Sequence, residues 1–191
     1  MGFILASASP RRSGMLSQLD LDFQIIPADI DEDYIAGETP GEHVTRLAKE
    51  KAAHIAGLHP EKWVLAADTV VVLGGEILGK PDGKSDAKRM LQSLSGEVHE
   101  VYTGYCLANK SKGIVKTDCV VSKVKIKTLA DDELNFYLNT DEPYDKAGAY
   151  AVQGIGAFMV EEIHGSYTNV VGLPLCQVID AMHVLKIIKM Y

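Results

Sequence analysis

Two neighbouring arginines, Arg11 and Arg12, lie where a buried strand is expected to end and a helix to begin. The apolar run 3–6 comes before them, Ser9 stands where a helix cap is favoured, and Pro10 suits the first helical position. A helix start offers free backbone N–H groups and the positive end of the helix dipole, and with guanidinium groups it suits a phosphate. The alternative is an ordinary capped helix with two solvated arginines. The segment indicates a phosphate site that the rest of the chain has to support.

Asp68 interrupts an apolar segment that has the pattern of a buried strand. The apolar run 63–67 precedes it, and apolar residues resume at 70–73. A carboxylate is costly to bury in such a segment unless it is paired or bound to a metal ion. The alternative is a structural aspartate that accepts hydrogen bonds from nearby backbone N–H groups. We interpret Asp68 as a functional residue.

Lys51 lies on or beside the apolar stripe of a helix predicted over residues 40–57. The residues 39–42 (Thr-Pro-Gly-Glu) match a capping box and mark the start of this helix. A lysine on such a stripe either extends to the rim of the protein or points into a cleft, and the sequence leaves both possibilities open.

Lys80 ends a stretch, residues 74–80, that matches the start of a phosphate-binding P-loop, G-x-x-x-x-G-K. Pro81 stands where a P-loop needs Ser or Thr to hold magnesium, and Gly74-Gly75 is typical of a hairpin turn. No helix is expected to begin directly after Lys80, so the nest of N–H groups would be absent. We therefore reject a P-loop and keep Lys80 as a single cation near a loop.

These cations and several carboxylates occur together in the first half of the chain. The combined set is Arg11, Arg12, Lys51, Lys80, Asp31, Glu32 and Asp68. Cations that hold phosphate oxygens, with carboxylates that hold a hard divalent ion, recur in enzymes that transfer or hydrolyse phosphoryl groups. Spacing alone predicts a metal-dependent enzyme that acts on a phosphorylated small molecule.

Composition limits the possible partners and the compartment. The chain has 191 residues and a formal net charge of −7, which argues against non-specific binding of nucleic acid. Its three cysteines are scattered without CxxC spacing, so we expect a reducing compartment rather than a disulfide framework or a zinc site. No signal peptide and no apolar stretch of membrane-spanning length is apparent, and we expect no membrane partner.

The order of predicted elements indicates a mixed α/β protein. Strands are expected near 3–6, 23–27, 63–73, 76–78, 98–108, 114–127 and 158–163. Helices are expected from Pro10, over 40–57, from Ser85 to Leu94, over 130–139, and from Leu173 onward. The stretch 143–154 is a loop rich in Gly and Ala, where a ligand could approach the backbone closely.

Six ordered segments resemble the successive signatures of the Maf family of nucleoside triphosphate pyrophosphatases. They are residues 7–12 (SASPRR), 50–52 (EKA), 67–71 (ADTVV), 79–81 (GKP), 145–154 (DKAGAY with QG), and 165–175 (GSY through GLPL). The resemblance extends nearly from end to end. It implies an α/β fold with an elongated mixed sheet flanked by helices, two lobes and a central cleft, similar to inosine triphosphate pyrophosphatase. It further implies a single domain over 1–191, a cytoplasmic location and a homodimer.

The resemblance also implies an activity and a set of site residues. The family hydrolyses the α–β phosphoanhydride of a nucleoside triphosphate with Mg²⁺ or Mn²⁺, releasing the monophosphate and pyrophosphate. Arg11, Thr69 and Gln153 resemble the trio of the dTTP/UTP-specific branch, whereas a branch acting on 7-methyl-GTP has Trp, Gln and Glu at those places. The remaining expected roles are phosphate binding by Ser7 and Arg12, charge neutralisation by Lys51 and Lys80, and metal binding by Glu32 and Asp68. Asp68 is also the expected general base, although the sequence does not distinguish a base from a pure metal ligand.

Two alternatives to this activity stay open at this point. One is a nucleotide-binding regulator, since the family is associated with inhibition of septum formation in cell division. The other is a broader house-cleaning pyrophosphatase for modified nucleotides.

Overall fold

The computed structural model describes residues 2–189, so Met1, Met190 and Tyr191 of the predicted domain 1–191 lie outside the described residues. Its strands are β1 (Phe3–Leu5), β2 (Phe23–Ile25), β3 (Val64–Leu73), β4 (Glu76–Leu78), β5 (Val98–Asn109), β6 (Ile114–Ile126) and β7 (Val160–His164). Its helices are α1 (Pro10–Ser17), α2 (Pro40–Leu58), α3 (Lys84–Leu94), α4 (Asp131–Leu138), α5 (Tyr167–Val171) and α6 (Leu175–Val184). Short 3₁₀ turns occupy Glu142–Asp145, Ala147–Ala149 and Ile155–Met159. Among residues 2–189, no helix has the length and apolar character needed to cross a membrane.

The described strands form one mixed sheet of seven strands in the order β2-β1-β3-β5-β6-β7, with β4 paired to β3. β1 is parallel to both of its neighbours, whereas β4 and β7 run antiparallel to β3 and β6. Only four residues separate the neighbouring strands β5 and β6, and a link that short requires a hairpin rather than a crossover. The prediction of a mixed α/β sheet flanked by helices is confirmed.

The chain divides into two compact units, and the boundary falls within β3, β5 and β6. The first unit comprises the chain up to Asp68, Thr103–Val120 and the chain from Gly172 onward. The second comprises Thr69–Tyr102 and Val121–Val171.

The core of the first unit forms where α2 packs against the strands. Its buried members are Ile4, Ala6, Ala48, Ala52, Ile55, Ala56, Val64, Ala66, Cys106 and Ala108. Small residues on both surfaces let helix and sheet approach closely. At Gly104 of β5, an added Cβ would lie 2.5 Å from the carbonyl carbon and oxygen of Val44 in α2. Backbone atoms cannot yield at that distance, so the close approach of β5 to α2 requires glycine at this position.

The core of the second unit joins α3 and α4 to the strands. Its members include Leu78, Leu91, Val101, Leu134 and Met159, all nearly inaccessible to solvent. This packing orders the loops that follow α4 and connect to β7.

Local signals predicted the starts of α1 and α2. The capping box is confirmed. Thr39 Oγ1 accepts a hydrogen bond from the Glu42 N–H, and Glu42 Oε2 accepts one from the Thr39 N–H. Ser9 does occupy the N-cap of α1, but its side chain makes no cap hydrogen bond. Its N–H donates instead to Ser7 Oγ over 3.2 Å, so the turn is stabilised by the residue two positions earlier.

Two of the predicted boundaries that differ from the structure have a local cause. The helix expected to be capped at Ser85 begins at Lys84 with Gly83 as N-cap, because Gly83 adopts φ +128°, a conformation that suits glycine. Asp86 lies within the first turn, where it accepts from the Asp82 N–H. The last strand begins at Val160 rather than at 158, because a 3₁₀ turn includes the two preceding residues.

Candidate active site

Lys51 connects two carboxylates in the first unit. Its Nζ donates to Asp68 Oδ1 over 2.7 Å and lies 2.8 Å from Glu32 Oε1. Lys51 and Asp68 are 7% and 8% exposed, whereas the Glu32 side chain is half exposed. Lys51 therefore does not extend to the rim: it points at the end of the apolar run in β3, where Asp68 needs a cation. Glu32 joins the pair from the solvent side.

Arg12 occupies the turn after β1 and links it to a distant part of the same unit. Its Nε donates to the Gly172 carbonyl over 2.7 Å, and its Nη1 donates to Ser7 Oγ over 3.3 Å. Burial lowers the pKa of Arg12, the charges of Asp68 and Glu32 raise it, and the charge of Arg11 lowers it. A guanidinium stays protonated in proteins, so the result is a fixed positive charge in the field of the carboxylates.

The charges of this cluster suit a polyanion together with a divalent cation. Three cations, Arg11, Arg12 and Lys51, stand with two carboxylates, Glu32 and Asp68, in the first unit. The two carboxylates lie close together because both contact Lys51 Nζ. Mg²⁺ commonly binds one or two carboxylates and takes further ligands from substrate phosphates and water. Among residues 2–189 there is no group of three or more His, Cys, Asp and Glu side chains that could hold a metal ion.

Three predicted site residues belong to the second unit. Lys80 and Gln153 are exposed, and Thr69 is half-buried. Thr69 follows Asp68 in β3, so the two side chains point to opposite faces of the strand. The rejection of a P-loop is confirmed, because residues 74–80 form the β3–β4 hairpin and the start of the following loop, and α3 begins only at Lys84.

The comparisons with known proteins identify the family of this chain. A family model described as Maf-like protein matches residues 2–185. The chain belongs to the Maf family. This confirms the resemblance found in the sequence.

Relatives within the Maf family are similar over most of their length. A protein of Syntrophus aciditrophicus named dTTP/UTP pyrophosphatase is 54% identical over 179 residues, which cover 94% of this chain and 87% of that protein. A protein of Geotalea uraniireducens with the same name is 51% identical over 179 residues, which cover 94% of this chain and 92% of that protein. The solved structure of a HAM1 protein from Coxiella burnetii has a TM-score of 0.55 at 17% identity, covers 98% of this chain and 100% of that one, and shows the same fold.

The structure adds a clamp around Gln153 that the sequence analysis of this Maf chain did not find. The Glu142 carboxylate accepts from the N–H groups of Ile155 and Gly156 over 3.0 and 2.7 Å. The Tyr137 hydroxyl accepts from the Ala151 N–H over 3.2 Å. These contacts fix the backbone on both sides of Gln153 in the sequence, within the second unit. The only sequence signal was the glycine-rich character of the loop, since nothing local connects Glu142 to residues thirteen positions away.

A buried histidine and a buried tyrosine form a second contact in this unit that no sequence pattern indicated. His99 Nε2 lies 2.7 Å from the Tyr150 hydroxyl, and both residues are buried. Burial lowers the pKa of His99 to about 4, so the ring is neutral near pH 7. The pair is therefore a hydrogen-bonded core contact that holds the segment ending at Tyr150 against β5.

Proposed function

We propose that this protein hydrolyses dTTP and UTP to the nucleoside monophosphate and pyrophosphate. The observation that carries the proposal is the joint contact of Lys51 with Asp68 and Glu32, with Arg12 close enough for its pKa to respond to both carboxylates. The printed names of relatives about half identical to this chain support the same activity.

The cations bind and orient the triphosphate. Arg12, with its guanidinium fixed by Ser7 and Gly172, presents N–H donors that suit phosphate oxygens. Lys51 and Lys80 neutralise charge that develops on the pyrophosphate leaving group. Lys51 is already held by two carboxylates, so its ammonium needs little reorganisation when the substrate binds.

Asp68 is the residue we assign to the attacking water. Its carboxylate lies in a buried position beside a fixed ammonium, so it is oriented before a water approaches the α-phosphorus. Asp68 accepts the proton of that water, as a general base does. Glu32 and Asp68 would hold Mg²⁺ or Mn²⁺, which would supply additional neutralisation of phosphate charge.

Selectivity for the base is assigned to Arg11, Thr69 and Gln153. Uracil and thymine present the same edge, an N3–H between two carbonyl oxygens, so one arrangement of donors and an acceptor reads both. Arginine supplies donors, and threonine and glutamine supply donors and acceptors.

A panel of triphosphates tests the activity directly. We expect pyrophosphate release from dTTP and UTP to exceed that from CTP and GTP by about 10-fold or more, because a wrong base leaves buried polar groups unpaired. EDTA should stop the release, and added Mg²⁺ or Mn²⁺ should restore it. Nucleotide binding without pyrophosphate release would favour the regulator, and faster release from modified nucleotides would favour the house-cleaning enzyme.

A substitution at Arg11 separates base reading from phosphate binding. We expect Arg11→Ala to reduce the preference for dTTP over GTP by about 10-fold to 100-fold, because it removes a hydrogen bond worth about 1–3 kcal/mol to a buried edge. Arg12→Lys should lower kcat/KM for all four nucleotides by similar factors, since every triphosphate carries the same phosphates. Equal losses across the panel for Arg11→Ala would contradict its assignment.

Cytoplasmic location and a homodimer complete the proposal. Cys106, Cys119 and Cys176 are free thiols, which fits a reducing compartment. The homodimer rests on the family resemblance alone, and sedimentation velocity would decide it.

A further inference from the structure

Glu32 lies in a connection, residues 26–39, that contains neither helix nor strand. The Ile26 N–H donates to the Leu5 carbonyl at the start of this segment, but Glu32 itself lies in no helix or strand. Its Oε1 nevertheless lies 2.8 Å from Lys51 Nζ. Holding a residue in one backbone conformation costs about 1–2 kcal/mol, so specific contacts must order the connection.

Arg46 of α2 supplies contacts to both ends of the segment 33–38. Its Nη2 donates to the Asp33 carbonyl over 3.0 Å, immediately after Glu32. Its Nε and Nη2 donate to the two Glu38 carboxylate oxygens over 2.5 and 3.0 Å. One guanidinium thus ties both ends to the helix that carries Lys51.

Glu38 is itself held from several sides. Its carboxylate contacts His43 Nδ1 over 3.2 Å, and its backbone carbonyl accepts from the Tyr34 hydroxyl. The hydrogen bond from Arg46 is the main cause that lowers the pKa of Glu38 to about 2. The carboxylate is therefore charged at any pH near neutrality, and the tie to Arg46 does not titrate there.

We propose that Arg46 is a positioning residue that sets where the Glu32 carboxylate lies relative to Lys51 and Asp68. The guanidinium is needed because it reaches a carboxylate with two parallel N–H groups and a carbonyl with the same side chain, which an ammonium on a flexible stem does not reproduce. The expected effect of Arg46 on turnover rests on the proposed function. The expected effect of Arg46 on the position of residues 31–38 does not.

Hydrogen exchange tests the placement without any activity. Amides in residues 31–38 should exchange at least about 10-fold faster in Arg46→Met, because loss of these contacts lets the segment open locally. Arg89→Met is the matched control, since Arg89 also holds a helix carboxylate, Asp86, but contacts no part of this connection. Unchanged exchange at 31–38 in Arg46→Met would overturn the proposal.

A double-mutant comparison tests the consequence for the site. Arg46→Met should raise the Mg²⁺ concentration for half-maximal rate and lower kcat/KM by roughly 10-fold to 100-fold, the range for residues that orient metal ligands. In a Glu32→Gln background, Arg46→Met should lower kcat/KM by less than about twofold, because the carboxylate that Arg46 positions is gone. Equal losses in both backgrounds would show that Arg46 acts on something other than Glu32.

Two milder variants serve if Arg46→Met is too unstable to be measured. If Arg46→Met does not fold, Arg46→Lys and Glu38→Gln weaken the same tie with smaller changes, and the same exchange and kinetic outcomes are expected. Pyrophosphate release by the wild type and by Arg89→Met tests the proposed function independently of Arg46. If neither releases pyrophosphate, the proposed function fails while exchange at 31–38 still decides the role of Arg46.

Discussion

Asp68→Asn should lower kcat for dTTP by about 10²-fold to 10⁴-fold, the range associated with loss of a positioned general base. The amide preserves the shape of the side chain in its buried position at the end of the apolar run in β3. It removes the negative charge and the basic oxygen. The fold should survive, because Glu32 still lies 2.8 Å from Lys51 Nζ and compensates its charge. Pyrophosphate release at saturating Mg²⁺ and a thermal unfolding curve measure the two effects.

A matched control distinguishes this effect from a general response to a lost carboxylate. Asp118 is an exposed aspartate of β6 in the same unit, and Asp118→Asn should leave kcat unchanged. Near-normal turnover by Asp68→Asn would show that the role assigned to Asp68 is wrong.

The dependence on metal concentration separates the assigned general base from the alternative of a pure metal ligand at Asp68. If Asp68 only holds a divalent ion, excess Mg²⁺ or Mn²⁺ should recover much of the rate of Asp68→Asn, because the defect is one of affinity. If Asp68 accepts the proton, saturation with metal should not restore kcat.

Local chemistry made part of this molecule predictable. The capping box at Thr39 and Glu42 is complete within four residues, and the glycines after β3 specify the hairpin by themselves. The boundary at Ser85 failed because a polar cap and a glycine competed for the same helix start, and the backbone conformation of Gly83 decided it.

The candidate site was predictable as a set of residue types but not as an arrangement. Nothing in the sequence pairs Lys51 with Asp68 seventeen positions later, and the pairing follows only from packing α2 against the strands. The same holds for Arg46, which no sequence pattern singled out because an arginine in a helix has many ordinary explanations. Its importance follows from contacts with a connection that has no periodic pattern.

Lys51→Met should disable turnover and also destabilise the protein. The substitution leaves the buried Asp68 carboxylate without the ammonium that lies 2.7 Å away. Removing one partner of a buried ion pair costs about 3–5 kcal/mol, because the remaining charge is desolvated and uncompensated. For a chain of this size each kcal/mol lowers Tm by about 2–4 °C, so Tm should fall by about 6–20 °C. Thermal unfolding at pH 7 measures the change.

The double variant Lys51→Met/Asp68→Asn identifies the cause of that loss. It removes both charges, so its free energy of unfolding should be higher than that of Lys51→Met, because no buried charge is left unpaired. The coupling energy between the two substitutions should be about 0.5–3 kcal/mol, as for residues in contact. Turnover should not return, since Lys51 is assigned to the phosphates and Asp68 to the water. If the double variant is less stable than Lys51→Met, the ion pair is not what makes Lys51 important to the fold. If Lys51→Met retains near-normal kcat for dTTP and UTP below its Tm, the ammonium is not part of the catalytic site.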